Sequence, residues 1–390
     1  MPALYSITVA LIVAVLGGEL ARKFHYPRVI GQLVISLLCS APFLRAQFSE
    51  PASLDMIETL SYLGVILLLF LTGFDLDLAR MKTVGKDAVS IAIMAAILPF
   101  LLGFGLARYL GMGMQTAIIL GACLSLTAEG TKVALLLELG KVKSRVGSTM
   151  LGAGIIDDVF EILFLATVLV FAHKGSTYDL YLFPVKILAF VAVILLFSRI
   201  LPSIVQRLEK AKDMTGLLTI MSVIALLFAL GSELAGLGSI LGAFIGGILL
   251  QRSFLTSQGK DGEDHMLQAL AFSLIVPFFF VNIGLNFSFE ALRSAPLLTV
   301  LVLVTALIGK IGGTLLTKPV SSLSWRQLYL VGWGMNSRGV MELVIAQIAL
   351  TAGLIDRQLY SAIVFMAIVT TVLFPLVMQH MLKRTQEMMD

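Results

Sequence analysis

Apolar runs of about twenty residues recur along this chain, each closed by a short cluster of Lys, Arg, Asp, Gly or Pro. A helix needs roughly 20 mainly apolar residues to cross the hydrocarbon of a bilayer. On that measure the runs fall at 4–24, 27–43, 57–75, 86–110, 115–139, 143–172, 178–207, 214–234, 237–254, 265–285, 295–317, 326–352 and 357–382. The pattern predicts an all-α polytopic membrane protein with 13 transmembrane helices, called spans 1 to 13 below. An odd number of crossings places the termini on opposite sides.

Composition points the same way. Of 390 residues, 58% are hydrophobic and 13% charged, and the mean hydropathy of +0.98 is far from that of a soluble domain. Lys and Arg set the orientation through the positive-inside rule. One set of alternate loops receives 18 of the 28, the other set five, and five lie within spans. The richer side is read as cytoplasmic, with the N-terminus outside and the C-terminus inside. The expected setting is the inner membrane of a prokaryotic cell. A net charge of +4 spread over short loops forms no patch for nucleic acid. The first run carries its basic residues after it, which marks a retained helix rather than a cleaved signal peptide. Cys39 and Cys123 are too few for a disulfide framework and read as small core residues.

Two stretches repeat. "YPRVIGQLVISLL" in span 2 resembles "LGSILGAFIGGILL" in span 9, pairing Gly31 with Gly242, and "LLFLTGFDLDL" in span 3 resembles "FFFVNIGLNFSF" in span 10, pairing Gly73 with Gly284. Both pairs are 211 residues apart. Seven spans per offset reverse the direction of entry, so the expected architecture is two inverted six-helix repeats joined by span 7. The same relation pairs span 5 with span 12. Their middles, "LTAEGTKVALLLE" and "MNSRGVMELVIAQ", are polar breaks containing glycine. Non-helical backbone at membrane depth is tolerated only around a polar cavity, so two crossing broken helices mark the expected binding site.

Span 6 carries "GAGIIDDVFEI", with Asp157 and Asp158 adjacent and Glu161 close behind. A carboxylate in hydrocarbon costs about 2.5–3.5 kcal/mol even on lenient insertion scales. Asp158 lies 15 residues from both Lys143 and His173, about 22 Å along a helix, which is mid-membrane. Neighbouring helical residues diverge by about 100°, so the two aspartates have different roles. One can pair with a cation, for which Lys310 in "ALIGKIGGTLL" is the candidate. The other is left to face water. Burial favours a protonated acid and a bound cation favours the carboxylate, so one side chain can exchange a proton for a metal ion. The alternative is that all three merely lock helices together, but only one lysine is in view for two aspartates.

"GIIDDV", "IGKIGG" and "GMNSRGVMELVIA" together resemble the cation/proton antiporter superfamily, most closely NapA-like sodium/proton antiporters, across essentially the whole chain. The resemblance implies a secondary active antiporter, not an enzyme, exchanging a monovalent cation, sodium first, for protons by alternating access. It implies a homodimer in the lipid bilayer with no cofactor, the cargo being protons and sodium, potassium or lithium. Dimer-domain segments would lie at 1–85 (spans 1–3) and 214–292 (spans 8–10), and core ion-transport segments at 86–172 (spans 4–6) and 293–390 (spans 11–13). Residues 173–213 would be the linker helix. Carried over by position, Asp158 is the ion and proton carrier, and Asp157 is its neighbour paired with Lys310. Thr127 and Ala128 border the ion in the first break.

Three departures accompany the resemblance. Thr127 is followed by Ala128, Glu129 and Gly130 where small hydroxyl residues are usual, with Lys132 near; Glu161 is an added acid; and Glu342 comes later than the common acid after the Arg-Gly pair. Aligning the breaks on Gly130 and Gly339 sets Glu129 opposite Arg338, each neutralising half-helix dipoles. Lys132 is then left to Glu161 or Glu342. Five acids, Glu129, Asp157, Asp158, Glu161 and Glu342, face three bases, Lys132, Lys310 and Arg338. That excess suits a cation and excludes an anionic substrate.

A potassium/proton antiporter of the same fold is the main alternative, since cavity size and ligand geometry set selectivity. An intramembrane aspartyl protease needs two aspartates facing one water from separate helices and a Gly-x-Gly-Asp element, which is absent. A primary pump would need a phosphate-binding loop, also absent. His25, His173, His265 and His380 have no metal-ligand spacing, and His265 in "KDGEDHM" reads as a solvated loop residue. The chain stops about a turn after its last span, so no regulatory nucleotide-binding domain in cis is expected.

Overall fold

The computed structural model describes residues 2–23, 28–45, 48, 50–76, 84–138, 141–142, 144–172, 177–211, 214–255 and 269–384. His25, His173, His265 and the loop cations Arg80, Lys82, Lys143, Lys174, Lys212 and Lys260 lie outside the described residues. Among the described residues there is no strand. Seven helices among the described residues are long and apolar enough to cross a membrane: Leu4–Lys23, Pro51–Asp75, Lys86–Tyr109, Leu188–Leu208, Thr215–Ala235, Pro296–Leu316 and Arg357–Met381.

Elsewhere the apolar runs are not simple rods. Span 2 is a helix, Arg28–Ser36, that tightens into a 3-10 turn, Leu37–Ser40, before the short helix Pro42–Arg45. Span 10 passes through a π turn, Ala271–Ile275, into Val276–Asn286. A further short helix, Phe289–Ser294, stands where the apolar pattern gives only a connection. Its start has a local cause. The Ser288 hydroxyl caps it by accepting from Ala291 N, and Glu290 sits in the positive first turn.

The chain forms two compact, discontinuous units. The first comprises Met1–Phe24, Gly31–Leu76 and Leu169–Leu285; the second comprises His25–Ile30, Asp77–Val168 and Asn286–Asp390. In the first unit glycines let helix backbones touch, as in membrane interiors, where packing rather than hydrophobicity drives helix association. Gly31 lies against the carbonyl of Gly17, and Gly242 against that of Phe228, so closely that a Cβ has no room. Residue 242 follows 31 by 211, and 228 follows 17 by the same number, so equivalent positions make the same contact. Gly73 meets the Phe244 carbonyl and Gly284 the Ser36 carbonyl in the same manner. Asn282 in this unit donates to Ser61 Oγ at 3.2 Å.

The second unit is assembled on Lys86–Tyr109. Its buried face is small, with Ala88, Ala92 and Ala95 at helical spacing, so other helices approach closely. Gly309 and Gly313 of Pro296–Leu316 close on this helix; a Cβ on Gly309 would fall 2.7 Å from Pro99 Cα. That fit fixes the register of the intervening Lys310. Ser125 Oγ donates to the Ala96 carbonyl at 2.8 Å, in the turn that Pro99 interrupts. Phe164 of Arg145–Ala172 stacks on Phe100, centroids 5.2 Å apart and planes 12° apart. Ile91, Val146, Met150, Leu328, Val331 and Phe374 fill the apolar core around these contacts.

Candidate ion-binding site

Two interrupted helices meet in the second unit. Met114–Ser125 gives way to an extended turn at 126–128 before Glu129–Glu138, and Trp325–Gly334 gives way to irregular backbone before Met341–Thr351. The second of these opens with a Ser324/Gln327 capping box, legible as S-x-x-Q. A break strands carbonyls at the end of one piece and amides at the start of the next. In a buried site those groups must find partners, and here each break supplies the other's.

Ala128 N donates to the Ser337 carbonyl at 2.8 Å, and Thr127 Oγ1 to the Met335 carbonyl at 3.3 Å. Gly339 permits the approach, since a Cβ there would lie 2.6 Å from Ala128 Cβ. Arg338 then crosses over. Its Nη1 donates to the carbonyls of Cys123 at 3.0 Å and Leu126 at 2.6 Å, and Nη2 to Leu124 at 2.7 Å. A positive fork thus covers the negative end of Met114–Ser125. At the positive end of Met341–Thr351, Glu342 Oε1 accepts from Gly339 N at 2.7 Å. Thr371 Oγ1 donates to the Arg338 carbonyl at 3.1 Å.

Lys310 enters from the glycine-packed helix. Its Nζ donates to Thr127 Oγ1 at 2.5 Å and stands 3.6 Å from Asp157 Oδ2, with both side chains buried. Neither Asp157 oxygen has a hydrogen-bond partner, so the pair is held by charge. Lys132 is fully buried, its Nζ 3.9 Å from Met335 Sδ. Asp157, Glu161, Arg338 and Lys132 all lie near enough to bear on the charge of Lys310. Asp158, the next residue along, is partly exposed. Glu129 begins Glu129–Glu138, but its side chain lies outside the described residues. The partners of Arg338 described here are backbone carbonyls.

The sequence profile of the family described as "Sodium/hydrogen exchanger, transmembrane" matches residues 7–384. The chain belongs to the sodium/hydrogen exchanger family. A Na(+)/H(+) antiporter of Enterococcus hirae is 30% identical to it over 378 residues, 96% of either chain. The Na(+)/H(+)-K(+) antiporter GerN of Bacillus cereus is 28% identical over 371 residues, 95% of this chain and 94% of its own. The solved structure of the sodium proton antiporter MjNhaP1 from Methanocaldococcus jannaschii at pH 8 superposes with a TM-score of 0.67 over 98% of each chain, at 18% identity. That likeness shows a shared fold. As a member of the exchanger family, the chain is an integral membrane cation/proton antiporter, a secondary transporter rather than an enzyme, and it needs no cofactor.

This exchanger brings together Thr127, Ala128, Asp157, Lys310, Arg338 and Glu342, with Lys132 and Glu161 in electrostatic reach. Sequence reasoning missed Thr371, for which the hydroxyl pair in "VTTVL" was the available signal. It also missed the carbonyls that Arg338 covers, since every residue has a carbonyl and no pattern marks which are left over.

Proposed function

We propose that this exchanger moves sodium against protons by alternating access, with Asp158 hosting the cation and the proton in turn. The supporting observation is a contrast in burial. Among the described residues the fully buried charged side chains are Lys132, Asp157, Glu161, Lys310, Arg338 and Glu342, three acids and three bases, all at or beside the crossing. Asp158 follows the Lys310-paired Asp157 directly in the chain but is partly exposed, as a carboxylate that exchanges its bound ion has to be. Low polarity favours the protonated acid and a bound cation favours the carboxylate, so a carboxylate in such a place can alternate between the two. Asp157 remains with Lys310.

In this reading the segments 86–172 and 293–390, most of which fall in the second unit, carry the ion and move. Segments 1–85 and 214–292 form the dimer contact, and 173–213 links the two. The thirteen crossings then form inverted repeats, which the glycine contacts recurring at 211 residues support. The N-terminus faces outside. Potassium is the second reading, favoured by the name of the GerN relative.

Proteoliposomes given a pH jump test the proposal. Wild type should show sodium-dependent proton movement and Asp158→Asn none; retained movement in the variant overturns it. Parallel runs with sodium, lithium and potassium choose between the two readings.

A further inference from the structure

Most buried polar atoms in a folded chain have a hydrogen-bond partner, so those without one call for explanation. Among the described residues such atoms include both oxygens of Asp157, Oδ1 of Asn336, Oε2 of Glu342, Nε of Arg338 and Nε1 of Trp333. Four of these six are acceptors, and they come from the crossing or the residues paired to it. An unpartnered oxygen acceptor suits a cation, or water bound to one.

Asn336 is the member of this set with no assigned role. Its side chain is fully buried, and Nδ2 donates to the Gly332 carbonyl at 2.9 Å. That bond fixes the amide, because turning it over would set oxygen against oxygen. Oδ1 is therefore the atom held ready, with nothing donating to it. Both chain neighbours of Asn336 are fastened to the first break: the Met335 carbonyl accepts from Thr127 Oγ1, and the Ser337 carbonyl from Ala128 N. Thr127 in turn accepts from Lys310, which faces Asp157. Asn336 thus sits inside the crossing, a short chain of contacts from the aspartates.

We infer that Asn336 Oδ1 is a ligand of the transported monovalent cation, directly or through one held water, and sets how tightly the site takes sodium relative to larger alkali ions. The inference rests on the antiport reading above. A hard, neutral oxygen contributes to alkali-ion coordination as carbonyls do. Being neutral, it takes no part in the competition between proton and cation. Its loss should therefore weaken the cation by the same factor at every pH, leaving the pH at which protons begin to compete where it was. A residue that only holds the fold would change yield or maximal rate instead.

The test uses the full chain in proteoliposomes, measuring half-saturating sodium, lithium and potassium across a pH series. The proteins compared are wild type, Asn336→Leu, Asn336→Ser and Trp333→Phe. Asn336→Leu, similar in size without an acceptor, should raise half-saturating sodium roughly tenfold in parallel at each pH. Asn336→Ser keeps a hydroxyl and should shift it less, with an altered sodium-to-potassium ratio; it carries the test if the Leu variant does not accumulate. Trp333→Phe should leave the values unchanged. Wild-type half-saturation for all three cations in the Asn336 variants overturns the inference. So does a Trp333→Phe shift equal to that of Asn336→Leu, because Oδ1 would then hold only a structural water shared with the indole. If wild type itself moves no protons with any of the three cations, the antiport reading fails, and this inference with it.

Discussion

Arg338 Nη1 donates to the carbonyl of Leu126 at 2.6 Å, tying the break in one helix to the break in the other. Two further carbonyls, of Cys123 and Leu124, share the same guanidinium. Arg338→Leu leaves these carbonyls without donors and Glu342 without its nearby cation. Removing one partner from such a buried set costs about 3–5 kcal/mol. Thermal unfolding in detergent should show a large fall in midpoint. Arg338→Lys should recover only part of it, since an ammonium cannot reproduce the planar fork; full recovery by lysine would mean that the fork geometry is irrelevant.

The Lys310–Asp157 pair should behave as a unit. Lys310→Met strands a buried carboxylate and Asp157→Leu strands a buried ammonium, each at a cost of about 3–5 kcal/mol. Removing both restores an apolar contact, so the double variant should be more stable than either single one. A double-mutant cycle on unfolding free energies measures the coupling, and additive losses would argue against a direct pair.

Close approach at the crossing depends on a missing side chain. A Cβ at position 339 would lie 2.6 Å from Ala128 Cβ, whereas one at Gly105 meets nothing within 4 Å. Gly339→Ala should therefore destabilise by about 1–3 kcal/mol through forced backbone shifts, and Gly105→Ala should be neutral or slightly stabilising. Unfolding midpoints of the two variants side by side give the answer; equal midpoints would show that the breaks do not press together.

The proposed competition of proton and cation for Asp158 fixes the sign of the expected pH response. Acid protonates the carboxylate and excludes the cation, so on the acid side half-saturating sodium should rise about tenfold for each unit of falling pH. At alkaline pH it should level off. A half-saturation that stays flat across the acid limb would mean that cation and proton occupy separate groups.

Much of the helical layout was legible because period and length are local properties. The pattern places span 4 at 86–110 and the helix runs Lys86–Tyr109; it places span 11 at 295–317 and the helix runs Pro296–Leu316. The two breaks were legible for the same reason, as glycine and charge inside apolar runs. The helix Phe289–Ser294 was not, since six residues are too few to show a period and its stability comes from the Ser288 cap. Nor was the destination of Arg338. Reading along the chain pairs charges with charges, whereas the guanidinium donates to neutral carbonyls that only the break exposes.

The sequence by itself determined that this chain lives in lipid, roughly where its helices run, where two of them fail, and that ionisable residues sit where hydrocarbon tolerates them only when partnered. Tertiary structure alone decided the partners. Which aspartate meets Lys310, which carbonyls Arg338 covers and which oxygens stay open all depend on how helices remote in sequence are rotated and set against each other. Glycine contacts such as Gly309 on Pro99 and Gly339 on Ala128 fix those rotations through space. Short-range patterns carry helix period and burial, but hydrogen bonds and ion pairs act over about 3–4 Å between residues far apart in the chain, a relation no local pattern encodes.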